Sequence, residues 1–156
     1  MASLPISSAG AVHTASGINI PAIRLRVELA FTRQAAPPLP RKCLVDSGAP
    51  LSVIPYSVHH THNFSWQLLP GPWPAGFTSW SGVPCVVGRI DVWIPISEPP
   101  FLSGPFQCIA KFAQATPANM PLNLPILFGL NFLADHQATM GIQCHTIPDG
   151  GSIILP

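Results

Sequence analysis

From Ile20 onward the chain alternates. Ile23, Leu25, Val27 and Leu29 interleave with Arg24, Arg26 and Glu28, the period-two pattern of a half-buried strand. Ile90, Val92 and Ile94 interleave with Arg89, Asp91 and Trp93 in the same way. Two short apolar runs, 43–45 and 51–54, flank the polar break Asp46-Ser47-Gly48. Residues 106–112 predict a further strand. Residues 125–133 (PILFGLNFL) predict a fully apolar strand that reaches Gly129 and passes into one helical turn. Residues 142–145 and 152–155 predict strands separated by Pro148-Asp149-Gly150-Gly151, a turn composition. Residues 77–80 and 85–87 flank Ser81-Gly82-Val83-Pro84 and predict a hairpin. Residues 32–40 read as a loop, and 56–76, rich in His, Pro and Gly, show no clear period. The sum is about eight short strands and one short helix, an all-β chain. Residues 1–18, small and mixed-polar, read as a flexible N-terminal tail, and 19–156 as the domain.

Composition narrows this picture. The chain has 156 residues, enough for one domain with a substantial core, and 47% of them are hydrophobic. Its 20 prolines argue against long helices, because proline lacks the N–H and clashes with the preceding turn. Only 8% of residues are charged and the formal net charge is +1, a poor complement to a phosphate backbone, so no nucleic-acid partner is expected. A chain with so little charge gains from hiding apolar surface in an oligomer. The most apolar stretch, 121–134, is shorter than a membrane span and carries two prolines and two asparagines, so no transmembrane segment is expected. Residues 1–17 show no basic region followed by an apolar run, so no secretory signal is visible and an intracellular, cytoplasmic location is expected. Cys43, Cys85, Cys108 and Cys144 are irregularly spaced without a C-x-x-C. They read as four reduced thiols rather than a zinc site, with a disulfide pair as the alternative.

Six acids can be weighed one by one. Glu28 and Asp91 lie on polar strand faces, Glu98 and Asp149 in loop or turn, and Asp135 after the last apolar run. All five have ordinary solvated roles. Asp46 ends an apolar run and another begins at Leu51, which would partly desolvate its carboxylate at a cost unless it is partnered. On position alone, a functional carboxylate and an Asp in a tight turn with glycine are equally good readings.

The residues around Asp46 carry a resemblance. Leu44-Val45-Asp46-Ser47-Gly48-Ala49 resembles the hydrophobic-hydrophobic-Asp-Ser/Thr-Gly-Ala motif of aspartic proteases. Residues 126–133 resemble the family's second element, an apolar strand ending in a Gly beneath the catalytic loop and leading into a short helix. Order and spacing are similar to the single-domain, retropepsin-like branch. The resemblance implies a small closed, barrel-like β fold with one short helix, active as a C2 homodimer. Each copy would supply Asp46 as the catalytic residue, because one motif gives one carboxylate and the chemistry uses two that share a proton. It further implies that Ser47 hydrogen-bonds across the two-fold axis and that the Gly48 carbonyl accepts a substrate N–H. Ala49 completes the loop, and Gly129 packs beneath it. A covering hairpin, the flap, is expected at 77–87, starting at Phe77 and with its tip near Trp80, Ser81 and Gly82. A core or surface aromatic is the competing reading of Trp80. Retroviral members often pair an acid after the motif with an Arg after the later Gly. Here those positions are Pro50 and Leu130, which suits a cellular or bacterial-type relative.

The remaining constellations carry less. His59, His60 and His62 have no acid or Cys close by in sequence and read as a solvated loop, so no metal is expected. Ser47 lacks a G-x-S-x-G elbow. The reading is therefore an aspartic endopeptidase that needs no cofactor and takes an extended peptide or protein substrate. Its rival is a catalytically silent peptide-binding or dimerisation module of the same fold. A second rival is a monomeric all-β domain whose D-S-G turn is accidental.

Overall fold

The alternation at residues 24–29 is realised in strand β2 (Ile18–Leu29), where Val27 and Leu29 are buried while Arg24 and Glu28 are exposed. A computed structural model describes residues 2–15, 17–33, 40–46, 48–62, 64–99, 101–121, 123–142 and 149–156. Before β2 comes β1 (Ala2–Ala15), and after it follow β3 (Arg41–Asp46), β4 (Ser52–Ile54) and helix α1 (Tyr56–Thr61). Then come β5 (Trp66–Leu68), a 3-10 turn (Ala75–Phe77), β6 (Ser79–Trp80), β7 (Val83–Pro95) and β8 (Leu102–Ala113). The chain finishes with β9 (Ile126–Gly129), α2 (Leu130–Asp135), β10 (Thr139–Ile142) and β11 (Asp149–Leu155). The chain is mostly β, as its pattern predicts. Helix is more frequent than expected, since α1 falls in the stretch that showed no clear period.

The strands form one sheet in the order β10-β11-β1-β2-β3-β9-β4-β8-β7-β5, with β6 pairing off the path to β7. Most neighbours are antiparallel. The exceptions, β3 with β9 and β4 with β8, are parallel. The first arises because β9 returns late in the chain and inserts between β3 and β4, bringing Gly129 into register with Asp46.

The expectation of a closed barrel is corrected. Among the described residues the sheet is open, ending at β10 and β5. It curls over itself through one bridge, where Ala30 and Trp93 exchange backbone hydrogen bonds of 2.9 and 2.8 Å. Trp93 is available because the β7–β8 register shifts between Val92 and Ile94. A single bridged residue pair does not make a ladder, so the curl stops short of closure.

The N-terminal residues join the sheet as β1. β1 pairs with β11 through Ala2–Ile6 and with β2 from Ser7 onward. Leu4 and Ile6 are 1% and 3% exposed and join the core that holds Val27, Phe112 and Ile153. Burying side chains of that size is worth about 1.5–3 kcal/mol each. Cys144 lies outside the described residues, whereas Cys43, Cys85 and Cys108 are buried free thiols.

Candidate active site

Asp46 is the last residue of β3 and is half-buried. The chain turns immediately after it. The Gly48 N–H donates to Asp46 Oδ1 at 3.0 Å, and the Ala49 N–H donates to the Asp46 carbonyl at 3.2 Å. A carboxylate that accepts a backbone N–H two residues on has its rotamer fixed by the turn it closes. Ser47 lies outside the described residues.

Gly129 lies directly beneath this turn. A Cβ there would stand 2.7 Å from the Leu51 carbonyl carbon and 2.8 Å from both the Ala49 oxygen and the Ser52 nitrogen. No side chain fits against backbone at such distances, so the loop rests on glycine because only glycine leaves room. The Leu130 N–H donates to the Ala49 carbonyl at 3.1 Å and ties the second element to the loop. Asp46, Gly48, Ala49 and Gly129 are thus brought together. Leu130 itself is 40% exposed beside them.

Two residues that sequence reasoning left aside complete the support. Ser52 is 1% exposed, and its Oγ accepts from the Gly129 N–H at 3.0 Å. Asn131 Oδ1 accepts from the Ser52 N–H at 2.8 Å and from Ser52 Oγ at 3.2 Å, while its Nδ2 donates to the Ile109 carbonyl at 2.8 Å. Cys108 Sγ lies 3.6 Å from Ser52 Oγ. No buried side-chain polar atom among the described residues lacks a partner. Burial pushes the Cys108 thiol up to about 12 and raises that of Cys43 as well, so both remain neutral and unreactive at this depth. The available signal was a lone polar residue inside each apolar run, Ser52 in 51–54 and Asn131 in 125–133.

The hairpin residues form a second group. β6 and β7 pair through Ser79↔Pro84 and Trp80↔Val83. The connection is the two residues Ser81 and Gly82, both in the left-handed region at φ 48° and 81°, as a type I′ turn requires. The turn is therefore two residues long rather than the four expected, with Val83 and Pro84 already in β7. Trp80 is half-buried, and Phe77 is half-buried at the end of the 3-10 turn. Lys111, only 7% exposed, anchors the base of this arm. Its Nζ donates to the carbonyls of Gly76 at 2.7 Å and Ser79 at 3.2 Å.

The three histidines diverge. His59 Nε2 is 2.7 Å from the Ala113 carbonyl, His60 stacks on Tyr56, and His62 stacks on Phe64. No helix among the described residues is long and apolar enough to cross a membrane.

No family model and no curated protein matches the chain. Two solved structures are similar to it. One is a crystal structure of a retropepsin-like aspartic protease from Rickettsia conorii, at 10% identity and a TM-score of 0.47, covering 98% of this chain and 96% of that one. The other is EIAV protease complexed with the inhibitor HBY-793, at 15% identity and a TM-score of 0.39, covering 76% of this chain and 93% of that one.

Proposed function

We propose that this chain is an aspartic endopeptidase that acts as a two-fold homodimer, each copy supplying Asp46. The observation that carries this reading is the placement of the Asp46 carboxylate. It is fixed by the Gly48 N–H at 3.0 Å and stands over a glycine whose absent side chain is replaced by the loop itself. One chain offers one such carboxylate, and the chemistry needs two. C2 is the commonest symmetry that would pair them. The exposed Leu130 beside the turn would then be covered by the second copy. The catalytic unit takes in β1 as well as residues 19–156.

In the paired site the two carboxylates share one proton, because like charges so close cannot both ionise. The ionised Asp46 takes a proton from a water as its oxygen adds to the peptide carbonyl carbon. The protonated Asp46 of the second copy gives its proton to the carbonyl oxygen. As the C–N bond breaks, the first carboxyl gives its proton to the leaving nitrogen and the second carboxylate takes a proton back from a hydroxyl of the diol, which leaves a carboxylic acid and an amine and restores the shared-proton pair. The substrate binds as an extended strand, and the Ser81–Gly82 hairpin closes over it as the flap. Gly48 leaves room for the substrate backbone to approach. The reaction calls for no cofactor.

The test is direct. Wild type and Asp46→Asn are incubated with a diverse peptide mixture at pH values from about 3 to about 7, because a dyad that shares one proton must be singly ionised to work, and the products are read by mass spectrometry. Wild type should cleave with a bell-shaped pH profile. Asp46→Asn should lose about 10²–10⁴-fold or more in kcat/KM. Cleavage by both proteins removes Asp46 from its role. Cleavage by neither, from a stable dimer, favours the silent peptide-binding module.

A further inference from the structure

The chain holds seven basic residues and a formal net charge of +1, yet its cations are not evenly spread. Arg24, Arg26 and Lys42 line one open cavity of about 360 Å³ between β2, β3 and the segment at Asn123 and Pro125. Among the described residues no carboxylate lines it. A second cavity of about 410 Å³ shares Lys42 and Pro125 with the first and adds Arg41. Three of the chain's seven basic residues therefore line the first cavity.

Strand register sets the cavity beside Asp46. Arg26 pairs with Leu44, and Glu28 pairs with Lys42. In a strand, side chains two residues apart share a face, so Lys42, Leu44 and Asp46 point to one side of β3, and Arg24 and Arg26 to the same side of β2. Arg24 lies two residues beyond Arg26, and Asp46 two residues beyond Leu44, towards the same end of the ladder. A strand advances about 3.3 Å per residue, so Leu44, which lines the cavity, is about two residues of extended chain from the Asp46 carboxylate.

We infer that this cavity is a subsite for an acidic side chain of the substrate, which directs cleavage to bonds with Asp or Glu within about four residues. The inference rests on the endopeptidase reading and adds a substrate class to it. Guanidinium groups hold a carboxylate through paired hydrogen bonds, and Lys42 adds a point charge at the rim. Three cations are too few for tight binding of a nucleic-acid backbone at physiological salt, and the lining by Leu44, two residues before Asp46 on the same strand, favours a peptide.

The experiment uses the full chain and matched fluorescein-labelled decapeptides that carry Glu, Gln or Lys at alternate positions. Wild type should cleave the Glu peptide at least about tenfold faster in kcat/KM than the Gln peptide, and the Lys peptide slowest, as expected for hydrogen bonds to a charged group. In the Arg24→Gln, Arg26→Gln double variant the Glu-to-Gln ratio should fall below about threefold. The Arg24→Lys, Arg26→Lys pair keeps the charge but not the paired hydrogen bonds and should give a ratio between those of wild type and the double Gln variant, which separates charge from damage to the fold. Equal cleavage of the three peptides overturns the subsite and leaves the peptidase standing. Binding of the same peptides to Asp46→Asn, read by fluorescence anisotropy, decides the matter independently of turnover. A Glu preference there that the double Gln variant loses supports the subsite even if nothing is cleaved, and equal affinities overturn it. A labelled oligonucleotide of about 20 nucleotides that binds more tightly than the Glu peptide also overturns it, in favour of a nucleic-acid face.

Discussion

The Asp46 turn and the Ser81–Gly82 hairpin are each anchored by one buried polar residue, and the two anchors differ in kind. Ser52, beneath the turn, has a short side chain whose oxygen meets the Gly129 N–H and Asn131 Oδ1 at once. The strands around it are paired on both edges, β9 lying between β3 and β4 and β4 between β9 and β8. Lys111, beneath the hairpin, is a long flexible side chain that reaches two carbonyls, and the hairpin's outer strand β6 pairs only with β7. A short buried hub between paired strands fixes geometry. A flexible tether at the base of a lightly paired arm permits hinge motion. The division suits a site in which the carboxylate must stay still while the cover moves.

Substitution at Gly129 should break the rigid half most severely. In Gly129→Ala the new methyl meets three backbone atoms at 2.7–2.8 Å, and the loop cannot yield without losing the Ser52 and Leu130 hydrogen bonds. Stability should fall by about 3 kcal/mol, the upper end of the usual range for overpacking, and peptidase activity should vanish with it. Urea denaturation with parallel peptide cleavage tests both. Wild-type stability in this variant would mean that the loop does not rest on Gly129.

Asn131→Ala comes next. It leaves the Ser52 N–H and the Ile109 carbonyl without their partner in a largely buried place. The expected loss is about 2–3 kcal/mol. Ser52→Ala should cost somewhat less, and the double variant should cost less than the sum because the two residues share one network. Strict additivity would show that they act separately.

Much of this was legible in the sequence, and the exceptions have physical causes. The strands at 24–29 and 89–94 could be read because buried and more exposed positions recur there with the strand period. The proximity of Asp46 and Gly129 could be anticipated because a motif links residues whose pairing is remote. Strand β1 was lost among small residues, although Ala2, Leu4 and Ile6 do alternate with Ser3, Pro5 and Ser7 and are the buried set. Helix α1 follows Pro55 and is only six residues long, too short to display a helical period. Ser52 and Asn131 were hidden because their hydrogen bond spans 79 positions, and no local pattern announces it. Closure of the sheet depends on strand tilt and on where β7 shifts register, which alternation does not encode.

On the hairpin side effects should be smaller and local. Lys111→Met keeps the length and apolar stem of the side chain but removes both donors to Gly76 and Ser79. Amide exchange at Trp80 and Val83 should quicken by about tenfold, equivalent to about 1.4 kcal/mol of local opening, with the Asp46 turn unchanged. Equal acceleration at both regions would mean that Lys111 supports the whole sheet.

The gentlest perturbation is at the tip. Ser81 occupies the left-handed region at φ 48°, where an L-residue with a branched-free polar side chain is tolerated but asparagine is favoured. Ser81→Asn would create the Asn-Gly pair that a type I′ turn prefers and should stabilise the hairpin by about 0.5 kcal/mol. β6 and β7 pair through two residue pairs, extended by the Cys85 N–H to the Thr78 carbonyl at 2.8 Å, so the gain adds to a short ladder. If the hairpin must bend open to admit substrate and release product, stiffening it should lower kcat modestly and leave the Asp46 turn's exchange rates untouched. A gain in stability with kcat unchanged would place the mobile element elsewhere, whereas a fall in kcat would tie turnover to the region that the buried lysine tethers rather than to the one that the serine fixes.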